Sequence, residues 1–176
     1  MTSSVLFLGG ARSGKSRLAQ QWIEAQAPLR RYCATCRRDP ADAEMAARIQ
    51  RHRDDRAGRG WDTVEEALDP AAVVAASDRP LLIDCATLWL CNLGDAHAWD
   101  EDAVLAEVDR LCRVLAAPPV AVAVVSNEVG SGVVPEHALG RQFRDLQGWA
   151  NQRLAAACAR AALVVAGLPL WLKGAP

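Results

Sequence analysis

Val5-Leu6-Phe7-Leu8-Gly9-Gly10-Ala11-Arg12-Ser13-Gly14-Lys15-Ser16 decides the fold. An apolar run short enough to be a buried strand ends in two glycines, and Gly9 to Ser16 fit the pattern G-x-x-x-x-G-K-[ST]. Behind it, Leu18, Ala19, Trp22 and Ile23 recur at helical spacing within Lys15–Gln26, and Pro28 closes the unit. In a strand, glycine loop and helix so joined, successive backbone N–H groups converge on one concavity, and the helix N-terminus adds its positive end. Such a concavity suits a triphosphate. Lys15 reaches the β- and γ-phosphates, and Ser16 sets its hydroxyl on Mg²⁺.

Outward from this unit, Tyr32–Thr35, Leu81–Asp84, Val120–Ser126 and Leu163–Ala166 read as further buried strands. Helical patterns or long polar stretches separate most of them, and no two-residue hairpin signal is found. The class is therefore α/β: a three-layer, P-loop NTPase-like fold with a mostly parallel central sheet. Helices are predicted over residues 41–57, with Asp42 as N-terminal charge, and over Glu101–Leu115; Ala138–Ala162 reads as helix interrupted near Gly140 and Gly148. With 176 residues, 51% of them hydrophobic, and neither linker nor repeat, residues 1–176 are expected to form one domain.

Twenty basic against twenty-one acidic side chains leave a formal net charge of −1, so no global positive field exists to hold nucleic acid or an anionic membrane. The apolar runs are too short to span a bilayer, and no cationic leader precedes Val5, which together predict a cytoplasmic protein. Six cysteines, at 33, 36, 85, 91, 112 and 158, lie mostly in apolar runs and are read as reduced. Cys33-Ala34-Thr35-Cys36 has redox or zinc spacing, but a second ligand pair is missing and the histidines are scattered, so the structural reading is preferred.

A P-loop needs an acid at the end of a neighbouring strand to hold Mg²⁺. Asp84, closing Pro80-Leu81-Leu82-Ile83, fits that role. The alternative is a plain helix cap. His52 shares one face of the second helix with Met45, Ile49 and Arg56, among Arg48, Arg51 and Arg53. Cationic neighbours disfavour the imidazolium and offset phosphate charge, which suits nucleophilic attack on phosphorus; a solvated basic helix with an ordinary histidine is the plainer reading.

Together these segments resemble the bifunctional adenosylcobinamide kinase/adenosylcobinamide-phosphate guanylyltransferase family of cobalamin biosynthesis. The likeness runs nearly end to end. It rests on Gly9 to Arg17, Tyr32-Cys33-Ala34-Thr35, Asp42 to His52, and Trp61, Thr63 and Glu65. It continues through Asp84 to Leu90, Asn92-Leu93, Ser126 to Pro135, Arg141 to Asp145 and Asn151-Gln152. The resemblance implies phosphorylation of adenosylcobinamide by ATP or GTP, then transfer of GMP from GTP to adenosylcobinamide phosphate through a GMP-histidine on His52, with Lys15 also catalytic. It implies a nucleotide site of Gly9, Gly10, Ala11, Arg12, Ser13, Gly14, Lys15, Ser16, Ala34, Thr35, Cys36, Arg53, Asp54, Asp55, Glu65 and Asp84, with Ser16 and Asp84 on Mg²⁺. Either Glu65 or Glu66 would read the guanine or ribose.

Glu128, Arg141 and Arg144 serve the corrinoid or a neighbouring subunit, or else only a turn and a helix surface. The family assembles as homo-oligomers, typically trimers; Trp89, Trp99, Trp149 and Trp171 are either interface or core. Cys36, Cys91 and the short Gly94–Trp99 stretch depart from its pattern. Two other readings compete: a P-loop small-molecule kinase without guanylyl transfer, and a non-catalytic nucleotide-dependent switch.

Overall fold

The computed structural model describes residues 3–37 and 42–175 and, within them, every side chain but that of Arg48. Met1 and Thr2 of the opening segment, Ala41 of the second predicted helix and the Arg48 guanidinium therefore lie outside the described residues. Chain order is β1 (Ser4–Gly9), α1 (Lys15–Glu24), β2 (Arg30–Ala34), α2 (Ala43–Asp54), β3 (Trp61–Glu65), α3 (Pro70–Ala75) and β4 (Leu81–Asp84). After these come α4 (Ala86–Ala96), α5 (Glu101–Ala116), β5 (Val122–Asn127), α6 (Ala138–Ala157), β6 (Arg160–Val165) and β7 (Leu168–Lys173).

The strands form one sheet in the order β3-β2-β4-β5-β1-β6-β7, parallel throughout except for β7 against β6. Parallel strands buried on both faces need apolar residues at every position, and β1 is buried along its whole length. Val5, Phe7, Tyr32, Leu82, Val125 and Val164 pack toward Ala19 and Ile23 of α1. On the opposite face Leu6, Ile83 and Val124 meet Trp89, Leu111, Leu146 and Leu154 of α4, α5 and α6. The mostly parallel α/β class read from sequence is the class observed.

Four local expectations are corrected. The β6–β7 connection is a two-residue hairpin after all: Ala166 (φ 52°) and Gly167 (φ 81°) are both left-handed, and an alanine there is no turn signal. Helix α6 runs unbroken through Gly140 and Gly148 because its Leu146, Gln147, Ala150, Asn151 and Leu154 face is buried. It stops at Ala157, since Arg160–Ala162 pair with β1 instead of continuing the helix. Strand β3 and helices α3 and α4 add to the predicted elements; β3 is a half-exposed edge strand, and α4 is apolar on too many sides to show a helical period.

Candidate active site

The glycine loop turns sharply between β1 and α1, with Arg12 at φ 57° and Gly14 at φ 94° just before the helix. Lys15 is buried, and its Nζ donates to the Gly10 carbonyl at 3.0 Å. The loop is braced from the far end of the chain. The Gly167 N–H donates to the Ser13 carbonyl at 2.8 Å, a Cβ on Gly14 would stand 3.1 Å from the Gly167 Cα, and one on Gly9 would stand 2.5 Å from the Val164 carbonyl oxygen.

Asp84 ends β4, but β4 is not the strand beside β1: β5 lies between them. At about 4.8 Å per strand, β4 and β1 run about 10 Å apart, so Asp84 does not lie beside the phosphate loop by strand adjacency. Ser16, at the start of α1, and Asp84 nevertheless line one cleft at the carboxyl end of the sheet. The Tyr32 hydroxyl donates to Asp84 Oδ2 at 3.1 Å. Burial, and after it the Asp84 charge, holds the Tyr32 phenol well above its ordinary pKa, so it stays a donor. A hydroxyl and a carboxylate facing one space are hard oxygen donors, and that donor set fits Mg²⁺ with water completing the shell.

Helix α2 covers this cleft. Asp42 caps it, accepting from the Met45 N–H at 2.8 Å, and the helical period brings Met45, Ile49 and His52 to the cleft together; the helix ends at Asp54, short of the expected residue 57, and Arg56 reaches the cleft from the turn that follows. The Arg56 guanidinium carbon lies 3.5 Å from the Tyr32 ring centroid; the residue is 6% exposed, and its Nε is buried without a hydrogen-bond partner among the described residues. Across the mouth, Arg53 bonds Glu65 at 2.6 Å.

Of the residues read from sequence, Ser16, Ala34, Cys36, His52, Arg53, Glu65 and Asp84 line the cleft. Asp54 and Asp55 do not: both are exposed, Asp54 accepting from Gln50 and Asp55 closing the end of α2. Between the two glutamates, Glu65 faces the cleft while Glu66 accepts from the Leu68 and Asp69 N–H groups. Thr35 is fully buried and bonded to Cys85, and Asn92 donates to the carbonyls of Thr35 and Ala67, joining the end of β2 to the chain after β3. Burial pushes the thiols of Cys33 and Cys85 up to about 12 and about 11.

Tyr32, Thr63, Cys85 and Leu88, which are not among the site residues expected from sequence, also line the cleft. For Tyr32 a signal existed, because a tyrosine inside a buried strand needs a partner for its hydroxyl. Glu128 Oε1 accepts from the Gly130 N–H, Arg141 donates to the Pro135 and Glu136 carbonyls, and Arg144 lies 4.0 Å from Asp145, all contacts within a turn or along a helix. Trp89 is core, Trp99 packs on Phe143, Trp171 packs on Phe7, and Trp149 is exposed.

Sheet, glycine loop and cleft define an α/β protein of the P-loop class. Among solved structures, an ATPase from the type III secretion system of pathogenic bacteria matches with TM-score 0.58 at 12% identity, over 96% of this chain and 56% of that one. A protein from Pyrococcus horikoshii matches with TM-score 0.54 at 9% identity, over 99% and 87%. These likenesses speak for the fold alone. Residues 5–172 match the family model described as "Cobinamide kinase / cobinamide phosphate guanyltransferase", and the chain belongs to that family. A "Bifunctional adenosylcobalamin biosynthesis protein CobP" from Pseudomonas aeruginosa is 43% identical over 174 residues, covering 97% of this chain and 98% of the relative. A "Bifunctional adenosylcobalamin biosynthesis protein CobU" from Salmonella typhimurium is 42% identical over 183 residues, covering 96% and 99%.

Proposed function

We propose that this chain performs both transfers of its family on one nucleotide platform, as an adenosylcobinamide kinase and an adenosylcobinamide-phosphate guanylyltransferase. The observation that carries the reading is the presence of His52, Ser16 and Asp84 on the lining of a single cleft. In the kinase step the aminopropanol hydroxyl oxygen attacks the γ-phosphorus of ATP or GTP. The bond to the β,γ-bridging oxygen breaks, the nucleoside diphosphate leaves and the hydroxyl proton passes to solvent.

In the second reaction a neutral imidazole nitrogen of His52 attacks the α-phosphorus of GTP, the α,β-bridging bond breaks and pyrophosphate leaves. A phosphate oxygen of adenosylcobinamide phosphate then attacks the same phosphorus. The P–N bond breaks, releasing adenosylcobinamide-GDP and returning a neutral ring. Lys15 and the loop N–H groups hold the triphosphate, Arg53 and Arg56 offset charge beside His52, and Glu65 accepts from guanine or ribose. Ser16 and Asp84 would hold Mg²⁺, which supplies charge neutralisation at the phosphates.

Incubation with GTP labelled at the α- or the γ-phosphate, then denaturing electrophoresis, tests the reading. Acid-labile, base-stable label from the α-position only, absent from His52→Ala, is expected. Kinase turnover without label would leave the small-molecule kinase, and nucleotide binding without any turnover would leave the switch. We also read the protein as a cytoplasmic, single-domain homo-oligomer, a trimer by family likeness, and sedimentation equilibrium tests its mass. Among the described residues no helix is long and apolar enough to cross a membrane.

A further inference from the structure

We propose that Tyr32 is a positioning residue that serves the cleft from both ends of its side chain: its hydroxyl fixes the Asp84 carboxylate, and its ring seats the Arg56 guanidinium beside His52. The inference rests on the functional reading above only for what Asp84 and Arg56 act upon. Tyr32 pairs in register with Leu82, and Asp84 stands two residues further along β4, so strand alternation puts both side chains on one face of the sheet. The separation of such diagonal neighbours is one that a long aromatic side chain spans. The 3.1 Å bond to Oδ2 is the result, and Oδ1 has no hydrogen-bond partner among the described residues. A carboxylate held by one oxygen keeps the other aimed, where an unheld one would rotate.

The ring works on a different charge. Arg56 is almost wholly withdrawn from water and its Nε is unsatisfied, which is costly unless an anion or a π-face compensates. Tyr32 supplies the π-face at 3.5 Å from the guanidinium carbon, well inside cation–π range. Arg56 follows His52 by four residues, in the turn just after α2, and both line the cleft. An anion that completed the bonding of Arg56 would therefore lie beside His52, where the phosphate under attack must be. Phenylalanine at position 32 would keep the seat and release Asp84, and leucine would lose both.

The test compares the full chain with Tyr32→Phe and Tyr32→Leu, using calorimetric titration of GTP with and without Mg²⁺ and the rate of α-labelling at saturating GTP. In Tyr32→Phe the metal-free affinity is expected to stay within about twofold while the tightening by Mg²⁺ shrinks about tenfold. In Tyr32→Leu the labelling rate is expected to fall about tenfold as well. A merely structural tyrosine would shift melting temperature and both affinities together. A Mg²⁺ gain unchanged in Tyr32→Phe, or labelling unchanged in Tyr32→Leu, overturns the proposal. If Tyr32→Leu does not fold, Arg56→Met answers for the ring: lost labelling supports the seat and retained labelling overturns it. Absence of label in the unmodified protein would sink the functional reading instead, and GTP calorimetry would still decide the role of the hydroxyl.

Discussion

Thr35 and Cys85 bond each other in both directions: the Thr35 hydroxyl donates to the Cys85 carbonyl at 2.8 Å and accepts from the Cys85 N–H at 2.9 Å. This one side chain ties the end of β2 to the residue that follows Asp84. Thr35→Val keeps the shape and removes both bonds, leaving the Cys85 N–H unpaired while the Cys85 carbonyl keeps the Trp89 N–H. It should lower unfolding free energy by about 1–3 kcal/mol in urea titration and weaken Mg²⁺-dependent GTP binding. Thr35→Ser should retain most of both, and equal losses in the two variants would count against this account.

Alkali should act through Tyr32, the one tyrosine of the chain. Its phenol is raised by burial first and by the Asp84 charge second, above an ordinary value of 10.0. The folded state thus keeps a proton that the unfolded chain gives up. The stability contributed is fully present below the ordinary value and is lost as pH rises through the folded value. Phenolate absorbance should therefore appear together with loss of the folded circular dichroism signal. A phenolate titrating near the ordinary value in folded protein would contradict the buried hydrogen bond.

Two substitutions should act differently on the half-reactions. Lys15→Ala removes the cation at the loop and should depress kinase turnover and His52 labelling alike, each on the order of a hundredfold. His52→Ala should abolish the label and leave kinase turnover within about threefold, because proximity to the phosphates is not removed with the nucleophile. Loss of both activities in a folded His52→Ala protein would make His52 a positioning residue.

Gly14→Ala places a Cβ at φ 94° and 3.1 Å from the Gly167 Cα. Left-handed strain alone costs roughly 1–2 kcal/mol, and the hairpin turn must also retreat. Lower thermal stability with weaker triphosphate binding is expected by melting and calorimetry. Unchanged binding would show that the turn does not brace the loop.

Much of the site was readable because its determinants are local. The glycine loop is contiguous, and the 3.6-residue period puts Met45, Ile49, His52 and Arg56 on one face; all four line the cleft, Arg56 from the turn after α2 and not from the helix itself. What escaped depends on partners distant in sequence. Tyr32 meets Asp84 through the β2–β4 register, Asp84 lies one strand further from β1 than its run implied, and β3 is too exposed at the sheet edge to read as a buried run. The Ala166-Gly167 turn was hidden because alanine seldom takes a left-handed conformation. Asp54 and Asp55 show the converse: positions next to His52 along the chain, yet exposed and away from the cleft.

The contact between Ser13 and Gly167 also bears on the order in which the protein becomes competent during synthesis. Gly9 to Ser16 emerge long before Gly167, while β1 waits equally for β5 and β6 on either side. A nascent chain carrying the complete P-loop motif would still lack the walls that shape it, so nucleotide capture should begin only once the C-terminal hairpin has left the ribosome.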